Sequence, residues 1–186
     1  VWEDQNGRPQ TFDDFVEMTS FLALKKAESV ALLFALKKNV TRSKPAFIIG
    51  SDQMAVVKRG NRFIKLDKPG SYVRAEKSLW SLRGTTHHLV TAVSVVKVSS
   101  GASTQQEFTL ESQTARVIAN IKMRKFDRRE MLETLKLDHP IDCAGAYKME
   151  KSGLRLVEAI EVSDFTSIVG LPLIATARLL RQAGAL

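Results

Sequence analysis

Residues 48–57 read IIGSDQMAVV, an apolar run that Ser51, Asp52 and Gln53 interrupt. The apolar positions around them alternate in two sets, with Phe47, Ile49, Ala55 and Val57 in one and Ile48, Met54 and Val56 in the other. This pattern predicts a strand that is buried on both faces. Burying a carboxylate without a partner is unfavourable, so Asp52 needs a strand end, a hydrogen-bond donor, a cation or a metal ion beside it.

The composition is that of a globular chain. Its 186 residues, 44% hydrophobic and 26% charged, suffice for one ordinary domain or for two small lobes that share a sheet. No apolar run approaches the ~20 residues of a spanning helix, and the opening VWEDQNGRPQ lacks signal-peptide character. The single cysteine, Cys143, has no partner for a disulfide or a CxxC zinc site. We therefore expect a soluble, cytoplasmic protein without a membrane partner.

The net charge of +8 would suit a polyanionic partner such as nucleic acid, a membrane surface or a phosphorylated small molecule. The basic residues are scattered in pairs, for example Lys25-Lys26 and Arg128-Arg129, and aromatic residues do not interleave with them in a nucleic-acid motif. A solvated basic surface is the favoured interpretation, and no specific nucleic acid is expected as a partner.

The segment from Thr11 to about residue 38 is predicted to form a long helix. Thr11 suits the N-cap, with Asp14 three residues on. The predicted apolar stripe of this helix consists of Phe15, Met18, Leu22, Leu33 and Leu36. Lys26 lies on the same side as this stripe. Two interpretations of Lys26 stay open: its ammonium reaches solvent from the edge of the stripe, or it faces an internal anion.

The remaining sequence mixes strands and helices. Strands are predicted at 47–57, 63–66, 87–98 and 105–114, with two more in DCAGAYKME and LRLVEAIEV. Helices are predicted at 71–83, at 127–137 and in GLPLIATARLLRQAG, where Leu173, Ile174, Ala177 and Leu180 form one apolar face. A Gly60-Asn61 turn joins the first two strands, and strands 87–98 and 105–114 are expected to pair antiparallel. The predicted class is an α/β or α+β sheet with helices packed on it.

A polar constellation remains once core and surface are assigned. Its members are Lys26, the Ser51-Asp52-Gln53 interruption, Lys68 in the loop after the second strand, and Gly170-Leu171-Pro172 before the last helix. Hydrolysis of a phosphoanhydride requires an acid that can hold a divalent metal and lysines that can neutralise phosphate oxygens. Mg²⁺ suits such a site, because it binds through one or two carboxylates and leaves other positions to water and substrate phosphates.

The sequence contains five spaced motifs: FLALKKAESVA, IIGSDQ, DKPGSYVRAEKSLWSLRGTTHHLVTAVSV, HPIDCAGAYKME and VGLPLIATARLLRQAG. In this order they resemble the Maf family, the septum-formation-like nucleotide pyrophosphatases. The resemblance implies an α/β fold with an elongated mixed β-sheet and flanking helices in two lobes, like the inosine triphosphate pyrophosphatases. It further implies a single Maf-like domain over residues 1–186, a homodimer, and hydrolysis of a nucleoside triphosphate to the monophosphate and pyrophosphate with Mg²⁺ or Mn²⁺.

The resemblance also implies catalytic residues. Lys26 stands at the lysine of the family's A-x-x-K-A helix, and Asp52 with Gln53 stands at its acidic strand-end motif. Lys68 stands at the lysine of the G-K-P loop, although Asp67 replaces the glycine in this chain. Asp52, Lys26 and Lys68 are accordingly the implied catalytic residues.

Substrate and metal ligands follow from the same match. Gln53 and Ser51 are implied as substrate-binding residues, and Asp52 as a metal ligand. Glu3, in VWE, falls at the glutamate of the family's V-D-E and is implied as a second metal carboxylate. His87 matches the histidine of G-x-x-H, and we interpret it as a hydrogen-bonding residue at a strand end rather than as a catalyst.

Gln53 after Asp52, together with HPIDCAGAYKME, resembles the family branch that acts on 7-methyl-GTP. The branch preferring dTTP and UTP has a threonine after the aspartate. Three alternatives stay open. The chain is a pyrophosphatase that prefers dTTP, UTP or CTP, or a catalytically inactive Maf-like protein that binds nucleotide without turnover, or an RNA-binding module in which Asp52 merely pairs with a lysine. The family begins with a strand and an S-x-R-R loop, and this sequence starts after their place. We expect that strand and loop to precede the given sequence in the natural protein.

Overall fold

The computed structural model describes Glu3 and residues 8–36, 44–100 and 108–186. Within these ranges the chain forms four α-helices and five β-strands. The helices are α1 (Phe12–Leu36), α2 (Tyr72–Leu82), α3 (Arg128–Asp138) and α4 (Leu173–Gln182). The strands are β1 (Ala46–Arg59), β2 (Arg62–Leu66), β3 (Thr86–Ser100), β4 (Phe108–Met123) and β5 (Val157–Glu161). No helix in the described ranges combines the length and the apolar character needed to cross a membrane.

The five strands form one sheet in the order β2-β1-β3-β4-β5. Gly60 and Asn61 connect β1 to β2 as predicted, because Arg59 and Arg62 are the last paired residues of this hairpin. The α/β class is confirmed. Every strand pair in the described part of the chain is antiparallel, whereas the resemblance implied a mixed sheet with parallel pairs as well.

Helix α1 covers one face of the sheet, and its first half does so through the predicted stripe, because Phe15 and Met18 are buried and Leu22 packs against their cluster. The predicted cap is present, since Asp14 N–H donates to Thr11 Oγ1 (3.2 Å) and Thr11 N–H donates to the Asp14 carboxylate (2.8 Å). The buried face then follows a row of small residues, Ala23, Ala27, Ala31 and Ala35. The prediction that Leu33 faces the core is wrong, because its side chain is 58% exposed. The predicted helix end at residues 37–38 lies outside the described residues.

Gly50 explains why small residues face the sheet. A Cβ atom at this position would lie 2.4 Å from the Ala23 carbonyl oxygen and 2.7 Å from the Ala27 nitrogen, which is closer than real side chains approach. The backbones of α1 and β1 therefore touch at this point, and only glycine on the strand with alanine on the helix leaves enough room. This contact brings the middle of α1 beside the polar part of β1.

The opposite face of the sheet carries two separate apolar clusters. Helices α2 and α3 cover one end, where Leu79, Leu82 and Leu135 pack on Val57 and Ile121. Helix α4 covers the other end, where its buried residues meet Val93, Val95 and Val117. These clusters agree with the expected two lobes on one sheet.

The predicted apolar face of α4 is wrong in part. Leu173 is 53% and Ile174 is 65% exposed, whereas Ala175 and Leu179 are buried against β3 and β4. Within the first turn, the buried positions are thus Ala175 and Thr176 and not the two large side chains.

The segment between α3 and β5 contains no strand, which corrects the prediction for DCAGAYKME. It forms short 3₁₀ turns, at Pro140–Asp142, Ala144–Ala146 and Ser152–Leu156. Gly145 (φ 77°) and Ala146 (φ 62°) both have left-handed backbone conformations, which a strand cannot accommodate. The alternating apolar residues of this motif are nevertheless buried, since Tyr147 and Met149 join the α2–α3 cluster. LRLVEAIEV forms the last of the three turns and then strand β5.

Candidate active site

A cavity of about 360 Å³ lies beside β1 where its ladder with β2 stops. β2 pairs only with residues 55–59 of β1, so residues 46–54 have a strand neighbour on one side only, namely β3, within the described chain. We call this the main cavity. Its lining brings together five residues predicted from the sequence, which are Lys26, Ser51, Asp52, Gln53 and Lys68.

Asp52 has the cationic partner that its strand position demanded. Its side chain points to the α1 face, where Lys26 Nζ lies 2.5 Å from Asp52 Oδ1 and 3.1 Å from the Ser51 carbonyl oxygen. The Asp52 side chain is 15% exposed and that of Lys26 is 56% exposed. Lys26 therefore faces an anion, and the pair remains accessible from the cavity.

Ser51 and Gln53 point to the opposite face of the sheet. There they contact the backbone of residues 167–170, the segment of the cavity wall that precedes α4. Ser51 Oγ lies 2.7 Å from the Gly170 carbonyl oxygen and 2.9 Å from that of Ala92. Gln53 Nε2 lies 2.7 Å from the Ser167 carbonyl oxygen and 2.9 Å from Thr91 Oγ1. The donor groups of both side chains are thus engaged within the protein, and their oxygens remain as acceptors for a ligand.

Lys68 lies in a loop that backbone contacts fix in place. Gly70 has a left-handed conformation (φ 68°) and its N–H donates to the Ile141 carbonyl oxygen at 2.8 Å. Pro69, which lies between Lys68 and Gly70 in the sequence, is buried. Lys68 also lines a second cavity of about 430 Å³, the side cavity, which includes Lys65 and shares Asp52 and Gln53 with the main one. The two cavities therefore meet at Asp52 and Lys68, two of the three catalytic candidates.

The sequence interpretation missed an ion pair in the main cavity. Lys148 Nζ lies 3.2 Å from Asp142 Oδ1, and the Lys148 side chain is only 17% exposed. Hydrogen bonding within the pair lowers the pKa of Asp142 and raises the pKa of Lys148. Burial and the neighbouring Asp142 raise the pKa of Cys143, which also lines the cavity, to about 11. Cys143 is therefore protonated at neutral pH and is no nucleophile.

His87 is a structural residue behind the cavity wall. It is completely buried, and its Nε2 lies 2.7 Å from the hydroxyl oxygen of Tyr147, which lines the cavity. Burial lowers the pKa of His87 to about 3, with further lowering by His88 and Arg59. The ring is therefore neutral at physiological pH, as expected for a hydrogen-bonding residue rather than for a proton carrier.

The described part of the cavity offers one accessible carboxylate to a metal ion, a smaller set than a structural zinc ion requires. The described residues contain no group of three or more His, Cys, Asp or Glu side chains placed to hold a metal. Asp52 supplies one carboxylate, and only its Oδ1 has a hydrogen-bond partner among those residues. Such a sparse set fits a hard cation that substrate phosphates and water complete. Glu3, the second predicted ligand, is exposed and lines neither cavity.

Comparison with known proteins gives one consistent result. A family model described as "Maf-like protein" matches residues 4–183. Proteins named 7-methyl-GTP pyrophosphatase are 36% identical in Polaromonas sp. over 159 residues, 85% of this chain and 66% of the relative. A relative of the same name in Xanthomonas axonopodis pv. citri is 36% identical over 167 residues, which is 90% of this chain and 75% of the relative. Another in Aromatoleum aromaticum is 34% identical over 165 residues, which is 89% of this chain and 74% of the relative. The chain thus spans 66 to 75% of the length of these relatives.

Proposed function

The chain belongs to the Maf family, and on this premise we propose that it hydrolyses a nucleoside triphosphate, 7-methyl-GTP, to the monophosphate and pyrophosphate. It is then a hydrolase that acts on phosphoanhydride bonds. The named relatives support this substrate, since three proteins at 34–36% identity are called 7-methyl-GTP pyrophosphatase. Gln53, which follows Asp52 and lines the main cavity, supports the same branch of the family.

The observation that carries the proposal is the ion pair of Lys26 and Asp52 at the junction of two cavities. A carboxylate in an otherwise apolar strand is held 2.5 Å from an ammonium group and stays accessible to a ligand. Lys68 lines the same junction. Together these groups offer one base and two cations to a phosphate chain, which is the set that phosphoanhydride hydrolysis requires.

The proposed reaction is in-line attack of water on the α-phosphorus. Asp52 would accept the proton of the attacking water or would serve as the metal ligand, and both roles stay open. Lys26 and Lys68 would offset the charge that develops on the phosphate oxygens. Gln53 would orient a phosphate or a base edge. Its Oε1 can accept a hydrogen bond from a base N–H, whereas a phosphate oxygen would need the amide nitrogen, which contacts Thr91 and Ser167 in this structure.

A divalent cation, Mg²⁺ or Mn²⁺, would supply charge neutralisation and a more acidic water when bound. Asp52 is the residue of the cavity that would hold it. Glu3 is proposed as a second ligand on the family resemblance alone, because its side chain lies outside both cavity linings.

The proposal includes a cytoplasmic homodimer with residues 1–186 as a single domain, and it includes no specific nucleic-acid partner. The homodimer rests on the family resemblance. The presence of a single cysteine within residues 1–186 supports a reducing compartment. Size-exclusion chromatography with light scattering measures the oligomeric state directly, and a monomer at micromolar concentration would contradict the dimer.

Pyrophosphate release from a nucleotide panel tests the proposed activity. The panel contains 7-methyl-GTP, GTP, dTTP, UTP and CTP, each with Mg²⁺ and with excess chelator. We expect release that depends on the metal and is fastest with 7-methyl-GTP. Faster turnover of dTTP or UTP would move the chain to the other family branch. Nucleotide binding without turnover would identify an inactive member, and binding to RNA that falls steeply with salt would identify a polyanion-binding module.

A further inference from the structure

The outer edge of β4 is open over most of its length. Within the described chain, residues 108–119 pair with β3 on one side, and on the other side β5 pairs only with residues 120–123. Such an edge presents unpaired N–H and C=O groups, and proteins usually protect it with a short strand, lysine, proline or a β-bulge. The stretch FTLESQTARVIA has neither lysine nor proline, and its register with β3 is continuous. A further strand can therefore pair with it.

The other strand edges are protected or already in use. β2 and β5, the outermost strands, are each five residues long, and they carry charged residues: Arg62 and Lys65 on β2, and Glu158 and Glu161 on β5. The open part of β1, residues 46–54, borders the main cavity, so a partner there would close the site. β3 separates β4 from β1 in the sheet. A partner on β4 therefore leaves the cavity accessible.

The side chains of this edge are exposed on the face of the sheet that α1 covers further along. Successive residues of a strand point to opposite faces. Ala115 and Val117 are buried in the cluster under α4, whereas the even-numbered residues from Leu110 to Ile118 are exposed. Leu110 is 38% and Ile118 is 37% exposed. These two large apolar side chains lie on one face, at equal distances before and after Thr114.

We infer that the open edge of β4 pairs antiparallel with the same edge of a second copy of the chain, about a two-fold axis at Thr114. This inference rests on the homodimer in the proposed function and gives that dimer its interface. A two-fold axis perpendicular to the sheet keeps the corresponding faces of both copies on one side. Leu110 then lies opposite Ile118 of the partner subunit, and symmetry forms this pair twice. Apolar residues directly opposite each other stabilise a strand pair.

The position of β5 supports an axis at Thr114. β5 occupies the edge from Asn120 onward, so pairing about Thr114 extends over residues 109–119 and stops where β5 begins. An axis nearer to β5 would shorten the pairing, and an axis nearer to the start of β4 would separate Leu110 from Ile118 of the partner subunit. The open stretch and the apolar pair thus select the same register.

The same register brings opposite charges together on the other face. Glu111 lies opposite Val117 of the partner subunit, the residue on which α4 packs. Helix α4 carries Arg178, which lines a groove of about 600 Å³ beside residues 113–116. Neither Glu111 nor Arg178 forms an ion pair within the described chain. Each copy thus offers a carboxylate to a guanidinium group of the other, and this complementarity favours a second copy over an unrelated strand.

Disulfide cross-linking of the full chain tests the position of the axis. In Thr114→Cys the two thiols face each other across the axis with Cα atoms about 5 Å apart, which suits a disulfide. Ser112→Cys is the matched control, because Ser112 is a small exposed residue on the same face, but its two copies lie about 13 Å apart along the strands. We expect mild oxidation to give a covalent dimer roughly 10-fold faster with Thr114→Cys than with the control. The parent chain, with Cys143, sets the background rate.

Charge and apolar variants test the contacts themselves. Glu111→Lys should raise the dissociation constant of the dimer roughly 10-fold, and its combination with Arg178→Glu should restore the parent value. Leu110→Lys should also raise the dissociation constant, whereas Leu137→Lys, at a residue of α3 that is 63% exposed, should not. Analytical ultracentrifugation measures the dissociation constant, and a thermal melt shows that each variant is folded.

The outcomes separate this interface from the proposed activity. A dimer in which Ser112→Cys cross-links as fast as Thr114→Cys overturns the interface, and so does a folded Leu110→Lys variant with the parent dissociation constant. A parent chain that is monomeric at micromolar concentration overturns the interface together with the proposed homodimer. Pyrophosphate release is measured separately, so a chain without hydrolase activity refutes that activity while cross-linking still decides the interface.

Discussion

The ammonium group of Lys26 lies 2.5 Å from the carboxylate of Asp52, although the two residues are 26 positions apart in the sequence. The pair joins helix α1 to strand β1, so the charge partner of the strand comes from the helix layer and not from the sheet. In a site for phosphates this arrangement has two uses. Lys26 keeps Asp52 stable in an apolar strand, and its long side chain can turn to a phosphate oxygen when one approaches.

Asp52→Asn is expected to reduce kcat/KM for pyrophosphate release by roughly 100-fold or more, because an amide neither accepts a proton from water nor holds a divalent cation well. The fold should persist, since the amide oxygen still accepts a hydrogen bond from Lys26, which is itself largely hydrated. Steady-state kinetics and a thermal melt measure both effects. Turnover equal to that of the parent chain would remove Asp52 from the mechanism.

Gly50→Ala is expected to destabilise the fold by about 1–3 kcal/mol, because the new Cβ atom would overlap the backbone of α1 at Ala23 and Ala27. Urea unfolding measures this change in free energy. Since α1 must move away from β1, the Lys26–Asp52 distance should grow, and kcat/KM should fall even under conditions where the variant is folded. A variant with parent stability would show that the helix can shift without loss.

His87 predicts a dependence of stability on pH. Its pKa is about 3 in the folded chain and about 6.5 when unperturbed. Between these values the unfolded chain binds a proton that the folded chain excludes, so stability should fall as pH falls below 6.5, by up to about 1.4 kcal/mol per pH unit. His87→Gln can still hydrogen bond to Tyr147 but does not titrate. Urea unfolding from pH 6.5 to 4.5 should show a flatter profile for the variant, and identical profiles would contradict this explanation.

The Asp164 carboxylate predicts a second loss of folding stability, at lower pH than the loss caused by His87. Burial by itself would raise the pKa of Asp164, but hydrogen bonds from Thr166, Ile174 and Ala175 outweigh it and lower the pKa below 3.8. Its contribution is therefore complete above pH 3.8 and is lost as pH falls through the lowered value. At pH 7, Asp164→Asn should reduce the free energy of unfolding by about 1–3 kcal/mol.

The Asp164 carboxylate accepts hydrogen bonds from Ile174 N–H and Ala175 N–H in the first turn of α4. Its control is an aspartate at the N-terminus of another helix. Asp127 caps α3 through Glu130 N–H, but it is exposed. Asp127→Asn should have a smaller effect, about 0.5 kcal/mol, because asparagine is also a good N-cap. Equal losses from the two variants would mean that burial of the Asp164 carboxylate has no special weight. The difference between the parent and Asp164→Asn should also shrink below pH 3.8.

Two of the three catalytic candidates, Lys26 and Asp52, could be located from the sequence because each is an unusual residue type for its surroundings, whereas Lys68 in its exposed loop was assigned through the family resemblance. A lysine on an apolar helix and a carboxylate in an apolar strand require partners, and the structure places Lys26 and Asp52 together. Local features could be predicted as well, because hydrogen bonds between residues close in the sequence determine them. They are the helix caps at Thr11 and Asp127 and the Gly60-Asn61 turn.

Other features depend on tertiary contacts that local patterns do not contain. The ion pair of Lys148 with Asp142 spans the turn that contains the left-handed Ala146, and the alternating residues of this segment do not predict that turn. In the same way, the contacts of α4 with β3 and β4 determine which side of that helix is buried. Ile174 is the larger side chain, yet Ala175 lies over the strands.

The close approach of α1 to β1 at Gly50 also links ligand binding to global stability. The helix supplies Lys26 and the strand supplies Asp52, so a nucleotide held by both side chains bridges the two elements whose docking completes this face of the sheet. Binding energy gained there is available only to the folded chain, and it adds to the free energy of unfolding in proportion to the logarithm of ligand concentration. The melting temperature of the chain should therefore rise as the nucleotide site is filled.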